Sequence, residues 1–91
     1  MKVRLDTLIS AARNSRNGIA TAGNGWTATA DADSVVTVRH YATDMFQVAA
    51  WNAVRPLNPG EGSVSDKQGT NKILAGIQPN GSAETYATLF G

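Results

Sequence analysis

The 91 residues contain no cysteine and a single histidine, His40. The first absence excludes disulfide staples, thiolate zinc sites, iron–sulfur clusters and cysteine nucleophiles. The second routes any histidine-based acid–base or metal chemistry through one side chain. Charged residues are sparse, at 16% against the roughly one quarter of an average domain. Apolar runs are also short: Val48-Ala49-Ala50-Trp51 is among the longest, whereas a bilayer span needs about 20 residues. No membrane span is expected. Nor does the N-terminus resemble a secretion signal, since Asp6, Arg13 and Arg16 interrupt the place where an apolar stretch and a small-residue cleavage site would lie. The expected location is cytoplasmic.

What is present favours folding. Hydrophobic residues make up 42% of the chain, enough for one small core, so residues 1–91 are read as a single globular domain. Leu5, Leu8, Ile9 and Ala12 recur at helical spacing with Arg13 and Arg16 off the stripe, and Asn17-Gly18 closes that helix. The first few residues read alternatively as a short extended lead-in. Asn24-Gly25 between alternating alanines and threonines predicts a hairpin with a type I′ turn. After a polar turn at Asp31-Ala32-Asp33-Ser34, the β-branched run from Val35 to Tyr41 predicts a central strand. A tight connection at Ala42-Thr43-Asp44 returns the chain through residues 45–51, with Phe46, Val48 and Ala50 on one face. Pro56, Pro59, Gly60 and Gly62 break regular structure, most clearly over residues 58–62. Ser65 with Gln68 three residues on has capping-box spacing and opens a helix over 65–76, with Thr70, Ile73, Leu74 and Ile77 as its apolar stripe. Beyond Pro79-Asn80-Gly81, Ala83, Tyr86, Ala87 and Phe90 fit a helix, but composition over residues 85–90 favours a strand. The fold class is therefore α+β: an antiparallel sheet of about four to five strands, hairpin plus meander, packed with two helices.

Motif chemistry is thin. His40 has no Gly-x-Ser-x-Gly serine to activate, and Asp44 is its neighbour only in sequence. Asp31 and Asp33 lack the further oxygen ligands of a Ca²⁺ loop. Gly60-Glu61-Gly62-Ser63-Val64-Ser65 precedes a helix, as a phosphate loop does, but it has no Gly-Lys-Ser/Thr and carries Glu61. No catalytic, cofactor or metal site is expected, and no enzymatic activity. The polar positions Arg13, Arg16, Lys67, Gln68, Asn71 and Lys72 form the candidate interaction surface, rich in the donors that contact phosphates and base edges. Trp26, Trp51, Tyr41 and Tyr86 are read mainly as core, with one exposed tryptophan as a possible partner site.

Two stretches, His40-Tyr41-Ala42-Thr43-Asp44-Met45 and residues 62–74, Gly62-Ser63-Val64-Ser65-Asp66-Lys67-Gln68-Gly69-Thr70-Asn71-Lys72-Ile73-Leu74, resemble segments of small proteins of unassigned function carried by actinobacterial phages of the mycobacteriophage type. The resemblance covers about a fifth of the chain. It implies context: a short phage product acting in the host cytoplasm, or a minor virion part. It brings no site residue with it. The expectation is a non-enzymatic accessory protein that binds a host or phage macromolecule, foremost a protein, with possible homodimerisation. The alternative is a small nucleic-acid-binding protein using the basic N-terminal helix and the polar face of the 65–76 helix. An exposed apolar patch around a tryptophan favours the first, and a continuous basic strip the second.

Overall fold

Alternation of small and β-branched residues builds a meander, and the helices cover only one side of it. The computed structural model describes residues 2–77 and 84–91. Six strands lie in sequence order: β1 (Lys2–Val3), β2 (Ile19–Ala22), β3 (Trp26–Ala30), β4 (Val36–His40), β5 (Thr43–Val48) and β6 (Val54–Pro56). The pair β1–β2 is parallel and every other pair is antiparallel. Between β1 and β2 run a 3₁₀ turn (Leu5–Thr7) and helix α1 (Leu8–Asn14); α2 (Val64–Ile77) and α3 (Tyr86–Phe90) follow the sheet.

The class is α+β as expected, but the sheet has six strands, one pairing is parallel and a third helix is present. Each difference has a local cause. β1 is two residues long, too short to leave a period in sequence. β6 includes Pro56, a residue expected to break regular structure. Leu57 N–H donates to the Met45 carbonyl, so the neighbouring pair Phe46/Pro56 is non-hydrogen-bonded, and proline's missing N–H falls on the open edge, where it costs no ladder bond. The segment leaning toward a strand is helical over Tyr86–Phe90 because Thr85 and Thr88 cap each other reciprocally. The expected break at Pro79-Asn80-Gly81, and Ala83, lie outside the described residues.

The inner face of the sheet carries Ala20, Ala22, Trp26, Ala28, Val36, Val38, Phe46 and Val48, all buried against Leu8, Ile9 and Ala12 of α1 and Ile73 and Leu74 of α2. At α2 the close approach is made by glycine. A Cβ on Gly69 would overlap the Trp26 indole, and one on Gly76 would overlap the Asp6 backbone. The turn between β2 and β3 has both Asn24 and Gly25 at positive φ, 61° and 81°, as the Asn-Gly signal requires. Between β4 and β5 the connection is shorter than expected, Tyr41-Ala42 alone, and Thr43 already pairs with His40. A bulge beside Val38 and Arg39 turns both Met45 and Phe46 inward. The same strand ends at Val48, so Ala50 is exposed rather than inward.

Candidate functional site

Three loops meet at one end of the sheet: the Asn24-Gly25 turn, the Tyr41-Ala42 turn and the approach to α2. His40 sits among them, 5% exposed. Its Nδ1 lies 2.6 Å from Asp66 Oδ1 and its Nε2 lies 2.9 Å from the Asn24 carbonyl oxygen. The Asn24 carbonyl can only accept, so the ring donates to it through Nε2, while Nδ1 faces the Asp66 carboxyl. The ring packs on two aromatics, parallel to Trp26 at 4.0 Å and tilted on Tyr41 at 4.6 Å. Tyr41 closes down over Gly25, where any Cβ would strike the phenol ring.

Asp66 is the hub on the helix side. Its Oδ2 accepts from the backbone N–H groups of Glu61 and Ser63, and its own N–H donates to Ser63 Oγ. The capping box of α2 is therefore Ser63 with Asp66, two residues before the Ser65–Gln68 pair suggested by spacing, and the helix starts at Val64. Burial makes the Asp66 charge costlier, but the His40 hydrogen bond, the Ser63 backbone and hydroxyl donors and the attraction of the imidazole charge outweigh it and hold the carboxyl below its ordinary range. The loop that looked like a phosphate cradle thus aims its amides at an internal carboxylate.

Ser65 completes a Ser–His–Asp set in composition, with Oγ 3.4 Å from His40 Nε2. A nucleophilic serine needs that nitrogen as an acceptor. Here the nearer partner, the Asn24 carbonyl, takes an N–H from it, so the arrangement works as a buried pin joining β4, the β2–β3 turn and α2. A depression of about 340 Å³ opens beside it, lined by Tyr41, Thr43, Glu61 and Ser65 among others. No group of three or more metal-ligating side chains occurs among the described residues. At Asp31-Ala32-Asp33-Ser34, Asp31 Oδ1 accepts from the backbone N–H groups of Asp33 and Val35, the geometry of a turn.

The six residues of the candidate surface separate. Arg13 is half-buried and donates to the carbonyls of Ala49 (2.6 Å), Val48 and Ser34 and to Asn52 Oδ1 (2.9 Å). It binds the β5–β6 turn to α1. Asn71 accepts from Tyr86 N–H at 2.8 Å and ties α3 to α2. Lys67, Gln68 and Lys72 are exposed on α2, and Arg16 is exposed just beyond α1. Since Asn52 also donates to the carbonyl of Ile77, the last residue of α2, Arg13 belongs to the C-terminal end of that helix, and Lys67 to the opposite end beside Asp66. The fold draws Lys67, Gln68 and Lys72 together and leaves Arg13 apart.

The aromatics divide too. Trp26 is buried, but Trp51 is 80% exposed and Tyr41 68%. Trp51 stands on the β5–β6 turn at the rim of the sheet's outer face, which no helix covers among the described residues. It borders a depression of about 310 Å³ with Val35, Ala49, Ala53, Val54, Gln47 and Arg55. The outer face continues as a register row, Ile19–Thr29–Thr37–Gln47–Arg55, crossing five strands. The turn itself is held: Asn52, at φ 65°, accepts from Arg13, and Asn52 N–H donates to Ala49 O. Trp51 is presented from a fixed backbone with an unpacked side chain. Spacing offered no signal for the His40–Asp66 pair, 26 positions apart. For Trp51 the available signal was its place after Ala49-Ala50, where the period-two burial lapses.

Compared with protein-family models, with curated proteins and with solved structures, the chain matches none. Its site is therefore interpreted from its own geometry.

Proposed function

We propose that this chain is a non-enzymatic accessory protein that docks onto another protein through the outer face of its sheet. The observation that carries the reading is Trp51, the larger of the two most exposed aromatics, projecting beside Val35, Ala49 and Ala53 on a face without a helix among the described residues. A large apolar ring held in water on an anchored turn contributes little to the core, and rigid aromatics of this kind dominate binding energy where proteins meet. The actinobacteriophage resemblance supports a host or virion protein as the binding target. Its two stretches, residues 40–45 and 62–74, are the two that the His40–Asp66 pair joins, so they account for the scaffold rather than the docking face.

The nucleic-acid alternative draws its support from Lys67 and Lys72, exposed on α2 without an ion pair among the described residues. Two cations make a weak phosphate track. Affinity capture with and without nuclease, over a salt series, separates the readings. A nuclease-resistant protein partner, a second copy included, that is lost from Trp51→Ser and kept by the Lys67→Ala, Lys72→Ala double variant is the expected result. Nucleic acid retained by Trp51→Ser and lost steeply with salt would overturn it.

A further inference from the structure

The outer face is self-complementary. Its apolar centre, Val35, Ala49, Ala53 and Trp51, lies between flanks of opposite sign. On the β6 side stands Arg55, which has no ion pair or hydrogen bond among the described residues; on the β3–β4 side stands the turn with Asp31 and Asp33, whose carboxylates make no ion pair. Arg39, farther along the same face, is already matched by Asp44 at 4.0 Å. We propose that the occupant of this face is a second copy of the chain, the two sheets stacking face to face about a two-fold axis that runs along β5. The inference rests on the reading that this face docks protein. It adds the partner.

Rotation about that axis exchanges the flanks, so Arg55 of each copy meets the acidic turn of the other while the apolar centres coincide, the self-match an isologous interface demands. The overlap about β5 spans β4 to β6, where Thr37 and Gln47 lie between the sheets on the outer face, and two sheets packed face to face sit about 10 Å apart. Pairing through sheet edges is disfavoured by comparison, because β1 is two residues long and β6 ends in Pro56. Self-association is therefore directed to the face.

Sedimentation equilibrium of the full chain over a wide concentration range tests this. The expected mass approaches twice that of one chain. Trp51→Ser should run as a monomer with an unchanged far-ultraviolet circular dichroism spectrum, and the melting temperature should rise with concentration for the wild type and not for the variant. Arg55→Asp and Asp33→Arg should each weaken self-association by at least about tenfold, and both together in one chain should restore it. A wild-type monomer at every concentration, or a dimer indifferent to Trp51→Ser and to the charge exchange, overturns the proposal. If the monomer still captures a foreign protein in a Trp51-dependent manner, only the second copy is refuted and the docking reading stands; capture that ignores Trp51 removes both.

Discussion

At the residue scale a buried polar pair closes one end of the apolar core. His40 and Asp66 are each 5% exposed, and removing one member leaves the other buried without its hydrogen-bond partner, a loss of about 1–3 kcal/mol. Asp66→Asn is expected to show this loss in urea unfolding at neutral pH. The pH dependence has a definite sign. Because the folded carboxyl titrates below its unfolded value, its contribution is complete above the ordinary carboxylate pKa of about 3.9 and fades as pH falls through the folded value. Wild type should therefore lose stability on acidification through that window, and Asp66→Asn should have a shallower profile there. Gly69 makes a second residue-scale case. Helix propensity alone says that alanine would gain about 1 kcal/mol. The structure reverses the sign, because the added methyl meets the Trp26 ring, and Gly69→Ala should lower stability by about 1–3 kcal/mol in thermal melts. Neither effect is legible in sequence, since each depends on a partner tens of positions away.

At the element scale the periodic signals carried well. The stripes Leu8, Ile9 and Ala12 in α1 and Thr70, Ile73 and Leu74 in α2 are buried as spacing predicts, and the Asn24-Gly25 turn has both positive φ angles. Leu5 of the expected first stripe is half-buried in the 3₁₀ turn instead. Boundaries were less legible where two residues satisfy one rule. Ser63 and Ser65 both precede a residue able to complete a capping box, and only the Asp66 hydrogen bonds decide for Ser63. Short elements escaped for another reason: β1 and β6 hold two and three residues, fewer than a period can reveal. Arg13 shows how a tertiary role hides inside a helical pattern. Its position off the apolar stripe suggested a solvated cation, yet it binds the turn that carries Trp51. Arg13→Ala should lower the unfolding free energy by about 1–3 kcal/mol by leaving half-buried acceptors without a donor, whereas Arg16→Ala, at an exposed position, should stay within about 0.5 kcal/mol.

At the scale of the whole molecule the asymmetry of the sheet is the functional argument. One face carries the core and three helices; the other presents threonines, Gln47, Arg55 and the unpacked Trp51. Composition could announce that two tryptophans exist, but not which the core would take. That choice follows from where period-two alternation stops: Trp26 falls on an inward position of β3, and Trp51 falls beyond the end of β5, after Val48. Position 51 is therefore the place to ask what this protein touches. A photo-crosslinking amino acid at position 51, with matched chains carrying it at 67 and at 72, would be activated in cells that express the chain. Protein adducts from position 51, whether to a second copy or to another protein, and few from the other two positions, are the predicted result. Nucleic-acid adducts from 67 and 72 with none from 51 would contradict the account.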